Sequence, residues 1–221
     1  MSRTALVFGG APVVVTERLK KRLADLNKPF VVAADAGAET ALRLGFVPDV
    51  LLGDFDSIGR AVLIQLKERG VSIEQYPIDK NATDGELAIE RALSANPEEL
   101  VLVGFLGGPR LDQELANVFL LGGLSVTAVL VDGSNECRLL RSGESWAWAA
   151  EPGELVSLLP LSADAEGIRT AGLRWRLNGD TLRAGSTRGV SNEPTAERVH
   201  VELGAGALLV TRHFPSPDPL L

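Results

Sequence analysis

Residues 48–57 read PDVLLGDFDS, a short apolar run that ends at a glycine and is followed by two aspartates. The run Val50–Leu52 is apolar at every position, as in a strand that is covered on both faces. In an open parallel sheet, ligands bind outside the carboxyl ends of the strands. We therefore expect Asp54 and Asp56 to belong to a site at the edge of such a sheet.

The sequence on either side repeats this pattern. As far as about residue 132, short apolar runs alternate with segments whose apolar residues recur at helical spacing. The predicted strands are Ala5–Phe8, Phe30–Ala34, Val50–Leu52, Ser72–Tyr76, Leu100–Phe105 and Thr127–Val131. The predicted helices are Thr16–Leu26 with Thr16 as its N-cap, Ile58–Arg69, Asp84–Ala95 and Glu114–Leu121. Residues 1–133 are therefore predicted to form an α/β domain, a mostly parallel sheet with helices on both faces.

After Asp132 the helical periodicity stops, and short strand-like segments alternate with turn residues. The predicted strands are Ser145–Ala149, Leu155–Pro160, Gly172–Leu177, Thr181–Ala184, Arg198–Leu203 and Ala207–Thr211. Residues 134–221 are therefore predicted to form an antiparallel β domain, either a sandwich or a barrel. We expect the proline-rich tail, residues 215–219, to fray.

Composition argues against several classes of protein. With 22 Lys plus Arg against 29 Asp plus Glu, the net charge of −7 does not favour nucleic-acid binding, which needs clustered cations. No apolar run reaches about 18 residues, so no membrane span is expected, and the apolar stretch near the N-terminus is too short for a signal peptide. The single cysteine, Cys137, cannot form an internal disulfide, which fits a reducing cytoplasm.

Glycines, carboxylates and two cations follow five predicted strands in succession. Each has an ordinary explanation as a turn glycine or a helix N-cap, but together they describe a site for a polyphosphate and a divalent metal. Mg²⁺ prefers oxygen ligands, and in extended backbone Asp54 and Asp56 would share one face, with Phe55 on the other. The segments concerned are Gly9–Gly10, Asp35–Ala38, Gly53–Ser57, Asp79–Asp84 and Gly107–Asp112.

The acidic run also fits a phosphatase in which the first aspartate is the nucleophile. That alternative gives no function to residues 80–84 and 107–112, or to the β-rich half. Neither a Walker A sequence nor a Gly-x-Gly-x-x-Gly sequence occurs, so the nucleotide site is of neither common type.

Six blocks recur in order along the chain: ADAGA at 34–38, PDVLLGDFDS at 48–57, KNATD at 80–84, GGPRLDQ at 107–113, GLRWRL at 172–177 and GVSNE at 189–193. Any one alone would be weak, but the combination of GDFDS with a later TD and a late SN is specific. In these blocks the sequence resembles the thiamine pyrophosphokinase family.

The resemblance implies Mg²⁺-dependent transfer of a pyrophosphoryl group from ATP to the hydroxyl of thiamine, giving thiamine diphosphate and AMP. It also implies an ATP-binding catalytic domain at 1–133, a thiamine-binding β-sandwich at 134–221, and a homodimer with active sites between subunits. The catalytic residues it suggests are Asp54, Asp56, Asp84 and Arg110, the three aspartates also holding the metal. The ATP-binding residues are Asp35, Gly37, Ser57, Lys80, Thr83, Gly107, Gly108 and Asp112, and the thiamine-binding residues are Trp175, Ser191 and Asn192.

Two of these assignments have alternatives. Asp84 is expected to be a second metal ligand or a weak proton acceptor. Trp175 would stack on the cationic thiazolium of thiamine, or it would be a core residue of the β domain on the same strand face as Leu173.

The sequence departs from the family pattern in three places. Asn81 stands where an aspartate is usual, Pro109 extends the loop before Arg110, and Gln113 stands where many bacterial members carry histidine. Asn81 and Pro109 would suit a sensor that binds nucleotide or thiamine without turnover. A pyrophosphokinase for another alcohol, such as a pterin, could share the N-terminal blocks but has less reason to keep the two C-terminal ones.

Overall fold

The structure is a computed structural model that describes residues 4–215. The chain divides into two compact units between Gly133 and Ser134. Residues 216–219 of the tail that we expected to fray lie outside the described residues. Among residues 4–215, no helix has the length and apolar character needed to cross a membrane.

The first unit contains six parallel strands in the order β4-β3-β2-β1-β5-β6. The strands are β1 (Thr4–Phe8), β2 (Phe30–Ala34), β3 (Val50–Gly53), β4 (Ser72–Gln75), β5 (Glu99–Val103) and β6 (Thr127–Val131). The helices are α1 (Glu17–Ala24), α2 (Gly37–Arg43), α3 (Arg60–Glu68), α4 (Asp84–Leu93) and α5 (Leu111–Gly123). Because β5 is added on the side of β1 away from β2, strand order reverses between β1 and β5, where open α/β sheets bind ligands.

Both faces of this sheet are covered. Leu6 and Phe8 of β1 pack in one apolar cluster with buried residues of α1, α2 and α3. The intervening Val7 points to the opposite face and is also fully buried, and α4 packs on β1 and β2. The predicted α/β class is confirmed, because strands apolar at every position need cover on both sides.

Four predicted helices are confirmed with shifted ends, and α2 was not predicted. Thr16 caps α1 as expected, its Oγ1 accepting a hydrogen bond from Leu19 N–H at 3.2 Å. Helix α2 is short, and its buried apolar residues are the small Ala38 and Ala41, so it carries no strong hydrophobic period. It lies so close to β1 that a Cβ on Gly37 would be 2.3 Å from the carbonyl oxygen of Phe8.

The second unit is an antiparallel β-sandwich. Strands β7, β13 and β9 lie in one sheet, and β11, β10, β12 and β8 follow that order in the other. Leu140 and Val210 from the first sheet share a core with Trp148 and Val201 from the second. The strands are β7 (Asn135–Arg141), β8 (Ser145–Ala149), β9 (Leu155–Pro160), β10 (Ala165–Ala171), β11 (Asn178–Leu182), β12 (Arg198–Glu202) and β13 (Ala207–His213).

The prediction of a strand at Gly172–Leu177 is wrong, and β7 and β10 were missed. Residues 172–177, which we call the Trp175 loop, form an irregular connection between β10 and β11. Gly172 has φ +77°, and a Cβ there would lie 2.2 Å from the carbonyl oxygen of Arg198. The chain therefore turns at Gly172, although Leu173, Trp175 and Leu177 alternate with polar residues as in a strand.

Candidate active site

A cleft of about 600 Å³ lies in the first unit at the carboxyl ends of its parallel strands. The loops that follow β1 to β5 all contribute to its lining, and it includes the reversal of strand order between β1 and β5. Most of the predicted site residues of this unit line it. They are Asp35, Asp54, Asp56, Ser57, Lys80, Thr83, Asp84, Gly107, Gly108 and Arg110.

Three aspartates lie together in the lining of the cleft, and we call them the carboxylate cluster. One carboxylate oxygen each from Asp35, Asp54 and Asp56 lies within 4.8 Å of the others. Asp35 is buried, Asp54 is half-buried and Asp56 is exposed to the cleft. Three carboxylates at this spacing repel one another without a cation, and hard oxygen donors are what Mg²⁺ prefers, so the residues present fit this metal.

The backbone between Asp54 and Asp56 is not extended, so the geometry we predicted for this pair is wrong. Strand β3 ends at Gly53, and Phe55 has φ +66°, in the left-handed region. The N–H of Asp56 donates to Asp54 Oδ1 at 3.1 Å. A tight turn, rather than a shared strand face, brings the two carboxylates together.

Asp35 holds this turn in place. Its Oδ1 accepts a hydrogen bond from the Phe55 N–H at 2.9 Å, and Asp35 itself has φ +42°. Gly53 provides the space for this carboxylate, since a Cβ at Gly53 would lie 2.1 Å from Asp35 Oδ1. Gly53 lies in the predicted site segment Gly53–Ser57, but we assigned it no role of its own; the signal was a glycine directly between an apolar strand and two aspartates.

The environment of Asp35 changes its acidity. Burial raises the pKa of its carboxyl from an ordinary 3.8 to about 6, against the lowering effect of the Phe55 N–H. The negative charges of Asp84, Asp54 and Asp56 add to the increase in pKa. The cluster is therefore a place where added positive charge is favourable.

Lys80 and Asp84 form an ion pair beside the carboxylate cluster. Lys80 Nζ lies 2.7 Å from Asp84 Oδ1, and both side chains are half-buried. Burial acts to lower the pKa of Lys80, but the hydrogen bond with Asp84 and the charges of Asp84, Asp54 and Asp35 raise it overall. Asp84 is thus paired with the Lys80 ammonium group. The third carboxylate of the cluster belongs to Asp35, whereas we had expected that of Asp84.

Thr83 and the glycine loops that line the cleft also have structural roles. The Oγ1 of Thr83 caps α4 by accepting from the Glu86 N–H at 3.1 Å. Gly9 and Gly104 approach so closely that a Cβ on either would lie within 2.6 Å of the other's carbonyl oxygen. The Gly107 N–H donates to Glu114 Oε1 at 3.0 Å, so Glu114, which we did not predict, holds the glycine loop.

Arg110 lines the cleft but is paired with Asp112, which is not among the lining residues. Its Nε and Nη2 donate to the two carboxylate oxygens of Asp112 at 2.8 and 2.5 Å. The hydrogen bond from Arg110 is the main reason that the pKa of Asp112 falls to about 2. Both side chains are exposed, so this pair can open at little cost.

The three predicted thiamine-binding residues lie in the second unit and differ in exposure. Trp175 is 55% exposed, so it is not a core residue of the sandwich. One face of its indole lies under the guanidinium of Arg174, with Cζ 5.0 Å from the ring centroid. Ser191 is exposed and has φ +61°, whereas Asn192 is buried.

Comparison with known proteins places these features in one family. The family models for "Thiamin pyrophosphokinase, catalytic domain" and "Thiamin pyrophosphokinase, vitamin B1 binding domain" match residues 22–129 and 148–208. Thiamine pyrophosphokinase of Bacillus subtilis (strain 168) is 29% identical over 184 residues, 82% of this chain and 86% of that relative. Thiamine pyrophosphokinase 2 of Oryza sativa subsp. japonica is 30% identical over 192 residues, 82% of this chain and 71% of that relative.

Solved structures show the same fold. The crystal structure of thiamine pyrophosphokinase from Bacillus subtilis matches with a TM-score of 0.85 at 24% identity, covering 97% of this chain and all of that chain. The two family models lie in order along the sequence, and the blocks that suggested the resemblance fall within or beside them. The chain belongs to the thiamine pyrophosphokinase family.

Proposed function

We propose that this protein transfers the pyrophosphoryl group of ATP to the hydroxyl of thiamine, forming thiamine diphosphate and AMP. The observation that carries this proposal is the carboxylate cluster with Lys80 beside it, in a cleft where strand order reverses. The cleft combines acidic ligands for a metal with two cationic side chains, Lys80 and Arg110, for phosphates. Family membership supplies the acceptor, thiamine.

Asp54 and Asp56 would hold Mg²⁺, with Asp35 beside them. When bound, the metal would neutralise charge on the phosphate oxygens of ATP during transfer of the pyrophosphoryl group. Asp84 would be a further metal ligand, although one of its two carboxylate oxygens, Oδ1, is bound by Lys80 at 2.7 Å. The turn at Phe55 keeps Asp54 and Asp56 together before any ligand arrives, which lowers the cost of assembling the site.

Positioning and electrostatics carry most of the catalysis in phosphoryl-type transfer. The thiamine hydroxyl oxygen forms a bond to the β-phosphorus, and the bond from that phosphorus to the oxygen bridging it to the α-phosphorus breaks. AMP leaves with the bridging oxygen, and the hydroxyl proton is released to solvent. Lys80 remains protonated because its pKa is raised, so it can stabilise the negative charge of the transferred group. Arg110 contributes a second cation if it exchanges Asp112 for phosphate, to which its planar fork is equally suited.

We assign ATP to the first unit and thiamine to the second. The ATP assignment depends on the cleft and the residues named above, including the glycine loop at Gly107 and Gly108, which lines the cleft. The thiamine assignment depends on the exposed ring of Trp175, which offers an aromatic face to a cationic ligand. Because Arg174 already lies over one face of this ring, thiamine would use the opposite face.

We also propose that the protein is a homodimer, as family resemblance implies. Support comes from α5, on which Leu111, Leu115 and Phe119 occupy one face and are 66%, 47% and 58% exposed. Only Leu121 of this helix is buried among its thirteen residues. Sedimentation velocity should show a dimer for the wild type, and Phe119→Ser should shift it toward monomer. A wild-type monomer at all concentrations would contradict this part of the proposal.

The alternatives make different products, so one experiment separates them. The protein is incubated with ATP and Mg²⁺, with or without thiamine or a hydroxymethylpterin, and nucleotides are separated by chromatography. We expect AMP with thiamine only. AMP with the pterin only would identify another pyrophosphokinase, phosphate release without an acceptor would identify the phosphatase, and unchanged ATP would identify the sensor.

A further inference from the structure

We propose that Asn192 is a positioning residue that fixes the Trp175 loop, and that it does not bind thiamine itself. The proposal rests on the assignment of thiamine to the exposed ring of Trp175. It changes the role expected for Asn192 from the family motif, in which Ser191 and Asn192 were both placed beside thiamine.

The side chain of Asn192 makes three hydrogen bonds to the main chain around Trp175. Its Oδ1 accepts from the N–H of Trp175 at 3.0 Å and from the N–H of Glu193 at 2.9 Å. Its Nδ2 donates to the carbonyl oxygen of Trp175 at 2.7 Å. Both main-chain polar groups of Trp175 are therefore satisfied by one amide, as they would be by a neighbouring strand.

Asn192 and Trp175 differ in burial. Asn192 is 7% exposed, while the Trp175 side chain that it supports is 55% exposed. The main chain of Asn192 is itself fixed, because its N–H and carbonyl both pair with Val156 of β9, at 2.8 and 2.7 Å. Asn192 therefore links the sandwich to the Trp175 loop, and the left-handed φ of Ser191 leaves that serine outside while Asn192 turns inward.

Other contacts anchor the loop without involving Trp175. At its far end, Thr170 Oγ1 accepts from the Leu177 N–H at 2.9 Å, and Thr170 is 7% exposed, as Asn192 is. Arg174, which covers one face of the indole, is held by Glu193 at 2.9 Å. Thr170 is thus a matched control, since it is an equally buried side chain that supports the same loop at a different residue.

The test is steady-state kinetics of AMP formation by the full-length protein. The single variants are Asn192→Ala, Asn192→Asp, Thr170→Val and Trp175→Ala, and a double variant combines Asn192→Ala with Trp175→Ala. Without the three hydrogen bonds from the Asn192 side chain, Trp175 can move. We therefore expect Asn192→Ala to raise the KM for thiamine about tenfold. The KM for ATP and kcat should stay within about twofold. Asn192→Asp keeps the acceptor but sets a second oxygen against the Trp175 carbonyl oxygen, so the KM for thiamine should rise in this variant too, and it serves if the alanine variant does not fold.

The double variant separates an indirect from a direct role. If Asn192 acts only through Trp175, adding Asn192→Ala to Trp175→Ala should change the KM for thiamine by less than about twofold. Multiplied losses would mean that Asn192 contacts thiamine, and they would overturn the proposal. An equal rise in KM for Thr170→Val would also overturn it, because general loosening of the loop would then suffice.

The test also distinguishes failure of this inference from failure of the proposed function. A wild-type protein that forms no AMP with thiamine would refute the proposed function. An active wild type whose KM for thiamine is unchanged by Trp175→Ala would overturn this inference and the assignment of thiamine to Trp175, while the proposed reaction would stand.

Discussion

The carboxylate cluster of the first unit and the Trp175 loop of the second are both fixed by a side chain that binds main-chain N–H groups. In the cluster, the side chain that does this is Asp35, itself one of the three charges. In the loop, it is the neutral amide of Asn192, which is buried away from the exposed ring that it supports.

This difference shows how the ligand's charge constrains the way its site is built. A metal site gathers like charges, so its geometry must be imposed against repulsion, here by residues at φ +42° and +66° and by a glycine that leaves room for a carboxylate. An aromatic surface has no such repulsion, so hydrogen bonds from the neutral amide of Asn192 are enough to fix the Trp175 loop. Variants of the cluster should therefore affect charge and turnover, whereas variants of the loop should affect thiamine binding.

The largest effect is expected for the metal-binding aspartates. Asp56→Asn, or Asp54→Asn, should lower kcat at least about 100-fold, because a carboxylate that holds the metal is lost, and with it the metal's neutralisation of charge on the phosphates. Asp56 is exposed, so the melting temperature should hardly change. Asp25→Asn, at an exposed aspartate directly after α1 that does not line the cleft, is the control and should keep full activity. Near-normal Mg²⁺-dependent turnover by Asp56→Asn would refute the metal assignment.

The two tryptophan environments predict opposite effects. Trp148 is 7% exposed and its Nε1 donates to Glu154 at 2.8 Å, so Trp148→Ala should lower the free energy of unfolding by about 3–5 kcal/mol. Trp175→Ala should lower it by about 1 kcal/mol or less, because the ring is more than half exposed. Thiamine binding should weaken strongly in Trp175→Ala and modestly in Trp175→Phe, with ATP binding intact. Urea unfolding and separate titrations measure both, and a large loss of stability in Trp175→Ala would contradict the exposed position.

A pair of glycines tests whether the space for Asp35 matters. Gly53→Ala would place a Cβ against the Asp35 carboxylate, so it should cost about 3 kcal/mol of unfolding free energy and weaken Mg²⁺ dependence. Gly70→Ala also has a left-handed φ, of +79°, but no atom lies within 4 Å of its added Cβ. That control should cost only about 1 kcal/mol of backbone strain. Equal losses of stability and activity in the two variants would show that the space beside Asp35 is unimportant.

The pKa of Asp35 predicts a pH dependence in metal-free protein. Its folded-state pKa of about 6 lies above the ordinary 3.8, so the folded state binds this proton more tightly than the unfolded chain does. That stabilising contribution is complete below about pH 4 and is lost as the pH rises through about 6. Asp35→Asn does not titrate, so in EDTA its stability relative to wild type should increase between those pH values. The free energies of unfolding of both proteins are measured in urea at each pH. The same change with pH in both proteins would show that the pKa of Asp35 is not raised.

The smallest effect is expected at Asn81, which departs from the family pattern. Its side chain is exposed, and it does not line the cleft. Asn81→Asp should leave kcat within about threefold, or raise it modestly if the position touches the metal through water. A hundredfold loss of kcat would show that the amide has a function of its own.

Much of the first unit was predictable because its signals are local. Strands apolar at every position predicted the parallel sheet, and the polar residues that follow them gather because parallel strands end at one edge. Asp35 as the third member of the cluster was less accessible, since its position depends on left-handed backbone and on the space at Gly53. The Lys80–Asp84 pair likewise depends on side-chain conformations that a sequence pattern does not contain.

The second unit was harder to predict, and the Trp175 loop shows the reason. Leu173, Trp175 and Leu177 alternate with polar residues, which is the pattern of a half-buried strand. The main-chain groups of Trp175 are instead satisfied by Asn192, seventeen residues later, so the backbone needs no strand partner there. Such a contact between distant residues leaves no periodic signal in the sequence.

Our central claim is that ATP, bound in the cleft of the first unit, transfers its β- and γ-phosphates together to thiamine. The most direct measurement uses ATP labelled at the γ-phosphorus, with Mg²⁺ and thiamine, followed by separation of the products. We predict label in thiamine diphosphate, AMP in equal amount, and loss of both products in Asp56→Asn. Label in free phosphate, or ADP as the nucleotide product, would contradict the claim.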